Sequence, residues 1–270
     1  MTAAFPEPAW LVGCGNMAGA MVQGWRKAGL DCSSVTAIRP SGTPVDGIRT
    51  EKDLPVGESP RFVMLGVKPQ KLDEVVPKLA PHIRSETILV SLLAGVSAAT
   101  LRIRFPQARA IIRAMPNLPV AERQGVTALY SEDADDEALR LIQDLMEELG
   151  LAPVCADEAA FSAIGAVAGS GPAYVARFAA ALAKGGEGLG LDAELARDIA
   201  TQTLVGTAAM AGSGEAMAEI ARRVASPNGT TEQGLGVLDA ADRLQRLVHD
   251  MLAAAIARGK ELAEEAAARH

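Results

Sequence analysis

Gly13-Cys14-Gly15-Asn16-Met17-Ala18 spells Gly-x-Gly-x-x-Ala directly after the apolar run Ala9–Val12 and directly before a helical pattern. In that position it can hold a pyrophosphate. Gly13 permits a tight turn, Gly15 lets the backbone approach the anion, and Ala18 lets helix and strand pack closely. The helix N-terminus adds amide donors and the positive end of its dipole. The bland alternative is a plain strand-to-helix turn, and the strand candidates that follow weigh against it. Gly13, Cys14, Gly15, Asn16, Met17 and Ala18 are therefore candidate cofactor ligands.

Other segments end strands at the edge where an open α/β sheet binds ligands. The second apolar run ends in Ala37-Ile38-Arg39-Pro40-Ser41, without the carboxylate that usually holds a ribose 2′-hydroxyl of NAD. Arg39 can pair with a 2′-phosphate and Ser41 can donate to the same oxygens, so NADPH is favoured and NADH stays open. A solvated surface arginine is the competing reading. Val67-Lys68-Pro69 ends the third run, with Lys68 able to meet a phosphate or ribose. Leu92, Leu93 and Ala94 follow the fourth, beside the nicotinamide half, and Asn117 follows the fifth, held between Pro116 and Pro119. Such a loop is often only a turn.

The most specific segment is Ala225-Ser226-Pro227-Asn228-Gly229-Thr230-Thr231-Glu232-Gln233. Thr230 with Gln233 three residues later fits a capping box, so a helix should begin there. Free amides from Asn228 to Thr231 would make a carboxylate site, and the Thr231 hydroxyl would be available to a ligand. Capping alone would also explain both threonines. Gly169-Ser170-Gly171-Pro172-Ala173-Tyr174 reads as a loop entering a helix, with Tyr174 able to present a hydroxyl or fill core.

These segments need a scaffold. Val35–Ile38, Phe62–Val67, Thr87–Ser91 and Ala110–Arg113 are continuous apolar runs separated by helical patterns, the mark of a parallel sheet covered on both faces. Leu139, Ile142, Met146 and Leu149 form a helical stripe that Gly150 would close, and Leu151–Cys155 reads as a last strand. Beyond Asp157 the pattern turns helical, through 173–184, 193–210 and about 242–268. The division is an α/β domain, residues 1–156, and an all-helical domain, 157–270. The many small apolar residues of the second imply close helix packing between subunits, with a monomeric helical cap as the alternative.

Composition limits the rest. At 270 residues, 49% hydrophobic and 22% charged, the chain can bury a real core. A net charge of -7 and 3% aromatic residues argue against a nucleic-acid or anionic-membrane surface. Cys14, Cys32 and Cys155 are an odd number, which fits reduced cytosolic thiols. None of His82, His249 and His270 has a second ligand at metal spacing, so no metal site is expected. No apolar run approaches the roughly 18 residues of a membrane span, and Met1–Pro8 does not read as a secretory signal. The expectation is a cytoplasmic protein.

Taken together, the blocks 13–17, Val67-Lys68-Pro69, Ala94-Gly95-Val96, Arg113-Ala114-Met115-Pro116-Asn117, 169–174 and 226–231 resemble the pyrroline-5-carboxylate reductase family over nearly the whole chain. The resemblance implies a Rossmann domain joined to a helical dimerisation domain, NADPH as reductant and 1-pyrroline-5-carboxylate as substrate, giving L-proline. It further implies a homodimer with interleaved helices and shared active sites, with higher assembly open. The substrate carboxylate would lie on amides near Ser226, Asn228, Gly229 and Thr230–Thr231, and the Thr231 hydroxyl would reach the ring nitrogen as the catalytic contact. Glu158 stands where the family often has a carboxylate, either holding a water near the nicotinamide or lying at the surface. The chain departs from the family pattern at Asn228, often Gly, at Leu118, and at the bulky Leu92-Leu93 pair. Two alternatives remain: a reductase of another small cyclic imino acid or hydroxy acid, and a non-catalytic NADPH-binding regulator.

Overall fold

The structure is a computed structural model and describes residues 3–267, so His270 and the last residue of the expected 242–268 helix lie outside it. The strands are β1 Ala9–Val12, β2 Val35–Ile38, β3 Arg49–Glu51, β4 Phe62–Leu65, β5 Ile88–Ser91, β6 Ala110–Pro116, β7 Gly125–Tyr130 and β8 Gly150–Leu151. They form one sheet in the order β3-β2-β1-β4-β5-β6-β7-β8. Every pair is parallel except β6–β7, where Arg113 faces Tyr130. Every residue of β1, β2, β4 and β5 is buried, as strands covered on both faces require. Strand β1 is flanked by β2 on one side and β4 on the other, with Ala9 opposite both Val35 and Phe62. The winding reverses there, so the crevice at the carboxyl end of β1 is where a ligand fits.

Helices α1 Asn16–Lys27 and α4 Asp136–Glu147 cover one face, whose core holds Met21, Trp25, Phe62, Ile142 and Met146. The Trp25 indole donates to the Leu145 carbonyl at 2.8 Å, so the largest side chain of that face also ties α1 to α4. Helices α2 Leu72–Leu79 and α3 Ala98–Arg104 cover the other, around Trp10, Leu101 and Phe105. Two strands carry no plain apolar run and are not legible in the sequence. Strand β3 is Arg-Thr-Glu at the sheet edge, and β7 begins at a glycine and mixes Thr with Leu and Tyr. The expected helix end at Gly150 is corrected. Helix α4 stops at Glu147, and Gly150, at φ 134°, opens β8 because a side chain there would strike the Gly125 backbone. The expected last strand shrinks to β8 and an isolated bridge between Leu129 and Val154.

Helix α5, Glu158–Ile164, passes into a π turn at Gly165–Gly169, and both stay with the sheet. That compact unit runs to Ser170 and takes back the described residues from Ala255 to Ala267; the second unit is Gly171–Ala254. The second unit contains α6 Gly171–Gly188, α7 Ala193–Gly212, α8 Met217–Val224, α9 Thr230–Asp239 and the start of α10, Arg243–Ala267. Helix α8 escapes a pattern search because eight residues barely make two turns. Within residues 158–188 one window is long and apolar enough to cross a membrane by length and composition alone, although glycines, serines and Pro172 keep that stretch from being an unbroken apolar run.

Candidate active site

Strand β1 delivers the chain to Gly13, whose amide donates to the Ile38 carbonyl at 3.0 Å. Gly13 has φ 82°, and a Cβ there would stand 2.6 Å from Val67 Cγ1 and 2.8 Å from the Val67 nitrogen. Both the backbone angle and the neighbour demand glycine. Gly15 is different. It caps α1 with extended backbone and no side-chain cap, and a Cβ there would meet nothing within 4 Å. The first ladder bond of α1 runs from Gly19 to the Gly15 carbonyl at 2.8 Å, so the amides of Asn16, Met17 and Ala18 remain free at the helix start. Open space over free amides is what an anion needs.

Two cavities meet at this turn. One, of about 620 Å³, is lined by Gly15, Asn16, Met17, Ala18, Val67, Lys68, Pro69, Leu92, Leu93 and Ala94, each of them a candidate cofactor contact in the sequence. The other, of about 640 Å³, takes in Gly13 and shares Val67 and Lys68 with the first. Each lies within the size range of small-molecule pockets, and the shared wall lies beside the glycine turn. A nicotinamide dinucleotide fits this pair of cavities.

Not every expected residue points into these cavities. Cys14 is buried, and burial pushes its thiol up more than nearby Arg39 pulls it down, so it is an inert core thiol that contributes backbone only. The Arg39 guanidinium donates to the Thr43 carbonyl at 3.0 Å, and Ser41 Oγ accepts from the Thr43 amide at 3.2 Å. Asn117 is buried, with Nδ2 donating to the Ala168 carbonyl at 2.9 Å and Oδ1 accepting from the Val126 amide at 2.8 Å. Its amide clamps the β6–β7 connection to the π turn.

Among the other residues lining the first cavity are Arg113 and Met115, quoted in the sequence without a role, and Phe161, which the sequence reading did not single out. Arg113 is the charge inside an otherwise apolar strand, which was the available signal. Its side chain is 11% exposed, it donates to both carboxylate oxygens of Glu158, at 2.6 Å to Oε1, and its guanidinium lies 4.4 Å from the Phe161 ring centre. Glu158 is thus the counter-ion of a nearly buried cation that also stacks on an aromatic face.

In the helical unit, Ser226–Thr231 forms a tight turn into α9. The Gly229 amide donates to the Ser226 carbonyl at 2.9 Å, and Asn228 sits at φ 58°. That left-handed angle explains how Asn can stand where the family often has Gly, since Asn tolerates this region better than other side chains. The expected capping box does not form. Gly229, not Thr230, is the N-cap, and Glu232 reaches back to accept from the Asn228 amide at 2.6 Å. The amides of Asn228 and Gly229 are therefore occupied, and those of Thr230 and Thr231 are the open ones. Neither threonine hydroxyl has a side-chain hydrogen bond within the chain among the described residues.

The doubly wound sheet with its glycine turn defines a Rossmann-type, NAD(P)H-dependent oxidoreductase. Residues 10–95 match the family model "NADP oxidoreductase coenzyme F420-dependent", and residues 158–262 match "Pyrroline-5-carboxylate reductase dimerisation". A pyrroline-5-carboxylate reductase of Pseudomonas aeruginosa is 38% identical over 94% of this chain and 96% of its own length. Pyrroline-5-carboxylate reductase 3 of Bos taurus is 34% identical, covering 97% of this chain and 89% of its own. Among solved structures, a pyrroline-5-carboxylate reductase from Coxiella burnetii superposes with a TM-score of 0.86 at 32% identity, over 95% of this chain and 98% of that one. Plasmodium falciparum pyrroline carboxylate reductase with NADP bound shares the fold, with a TM-score of 0.82 at 22% identity over 96% and 99% of the two chains. The chain belongs to the pyrroline-5-carboxylate reductase family.

Proposed function

We propose that the chain reduces 1-pyrroline-5-carboxylate to L-proline with NADPH. The carrying observation is the 620 Å³ cavity that begins at the free amides of α1 and continues along Leu92–Ala94 to Arg113 and Phe161. NADPH, when bound, supplies a hydride to C5 of the protonated cyclic imine, and the chain supplies orientation and water exclusion. Gly13–Ala18 and Val67–Pro69 hold the pyrophosphate and ribose, and the apolar Leu92-Leu93-Ala94 turn backs the nicotinamide. The open amides of Thr230 and Thr231 hold the substrate carboxylate, with Ser226, Asn228 and Gly229 shaping the turn that presents them. The Thr231 hydroxyl bonds the ring nitrogen. A hydroxyl is a poor general acid at neutral pH, so this contact positions the ring more than it moves a proton. Glu158 holds Arg113 beside the nicotinamide end, and Asn117 is retained as a residue that positions this edge of the sheet.

NADPH over NADH is supported at the end of β2, where the carboxylate that would hold a ribose 2′-hydroxyl is absent. Following NADPH loss with 1-pyrroline-5-carboxylate tests the function directly. Turnover with the five-membered imine, well above that with NADH or with a six-membered imino acid, is the expected result. Binding of NADPH without turnover on any imine would instead identify a regulator.

The functional unit is proposed to be a homodimer in the cytoplasm, the partner's helical unit contributing the Thr230–Thr231 turn to each site. Support comes from the apolar side chains that α6 and α7 leave uncovered in one chain, among them Phe178, 58% exposed, with Leu182, Leu195 and Val205. The described helical unit buries only Ala196, Ala200 and Ile220 below the surface, too little to hold five helices together alone. The same coverage accounts for the apolar 158–188 stretch without a membrane. Phe178→Asp with Leu182→Asp is expected to turn the dimer into a monomer by light scattering and to remove nearly all activity. A monomeric wild type would overturn the shared site.

A further inference from the structure

We infer that Lys52, one residue past the end of β3, is the specificity-determining cation for a phosphate on the dinucleotide ribose, an inference that rests on the NADPH reading above. The second cavity, of about 640 Å³, is lined by Lys52, Lys68, Lys71 and Lys78 against Asp53 and Glu74. Lys71 pairs with Glu74 at 2.6 Å. Lys52, Lys68 and Lys78 have no carboxylate partner among the described residues. In a chain of net charge -7, an excess of unpaired ammonium groups around one cavity is local and directional. Such groups repel one another until an anion arrives, which makes the cavity selective for one.

The placement of Lys52 follows from the sheet. Ile38 of β2 lies opposite Glu51 of β3, and the Arg39 amide donates to the Glu51 carbonyl at 2.8 Å, so Lys52 leaves the sheet beside the turn after β2. Gly42 lies in that turn at φ 66°, and a Cβ on it would stand 2.7 Å from Lys52 Cε. The missing side chain lets the lysine stem cross the turn to the cavity. Arg39 and Ser41 are held to Thr43 instead, and neither lines the cavity. Arg39 therefore frames the turn, while Lys52 reads the charge. Lysine acts there as a compact point charge rather than a planar fork, so the site senses the phosphate more than its orientation.

Calorimetric titration of the full-length protein with 2′-AMP, 5′-AMP, NADPH and NADH tests this without turnover. The wild type is expected to bind 2′-AMP more tightly than 5′-AMP. Lys52→Gln is expected to lose about tenfold in affinity for 2′-AMP and NADPH and less than about twofold for NADH, the scale of one charge-assisted contact. Its melting temperature should match the wild type, since the side chain is exposed. A Lys52→Gln protein with unchanged NADPH affinity, alongside an Arg39→Gln protein that loses it, would overturn the inference and leave the NADPH reading intact. A wild type that binds NADH as tightly as NADPH would overturn both.

Discussion

Replacing Gly15 with valine is expected to leave the protein folded and to weaken NADPH binding at least about a hundredfold, or roughly 2.7 kcal/mol. The two halves of that result have separate causes. Gly15 has φ -86° and ψ -157°, an extended conformation open to any L residue, and its Cβ would meet no atom of the chain within 4 Å. The substitution therefore stores no strain, and its stability cost is limited to replacing a glycine N-cap by valine, about 1 kcal/mol. The same empty space lies over the free amides of Asn16, Met17 and Ala18, so a valine side chain occupies the position of the pyrophosphate. Gly13 provides the contrast. Valine there collides with Val67 and is forced to a positive φ, so Gly13→Val should lower the melting temperature as well. Thermal melts paired with NADPH titration separate the two variants. A Gly15→Val protein that binds NADPH normally would remove the glycine turn from the cofactor site.

Thr231→Ala is expected to lower turnover at least about tenfold, the effect of losing one oriented hydrogen bond of roughly 1.4 kcal/mol. The open amides of Thr230 and Thr231 persist in the variant, so KM for the imine should change less than kcat. The structure makes this a clean experiment. Gly229 caps α9 and neither threonine hydroxyl takes part, so removing the Thr231 side-chain oxygen costs the helix no cap. Thr231→Ser keeps the hydroxyl and is expected to retain most of the activity. Unchanged turnover in the alanine variant would take Thr231 out of the mechanism, whatever the substrate proves to be.

Much of this site is local in character, which is why it can be read along the chain. A glycine turn announces itself because Gly13 and Gly15 answer to backbone geometry and to the approach of an anion, both decided within a few residues. The buried strands β1, β2, β4 and β5 are legible because a strand covered on both faces must be apolar at every position. The turn at 226–231 is legible as a helix start for the same reason. Its detailed capping is not, because Thr230–Gln233 and Asn228–Glu232 are chemically equivalent pairings along the chain. Only the positive φ of Asn228 and the placement of Gly229 decide between them.

The composition and order of residues on their own determined the alternation of strands and helices, the nucleotide turn, the family and the helical second half, since all of these rest on short-range patterns. Tertiary structure alone decided which polar groups remain available for chemistry. Asn117 and Arg39 look like ligands in one dimension and are held by Ala168, Val126 and Thr43 in three. Arg113, Glu158 and Phe161 look unrelated and meet, while Lys52 reaches the cavity through a gap left by Gly42. The reason is physical. A side chain's type states which bonds it can make, but competition among neighbours distant in sequence decides which bonds it does make, and hence what is left for a ligand.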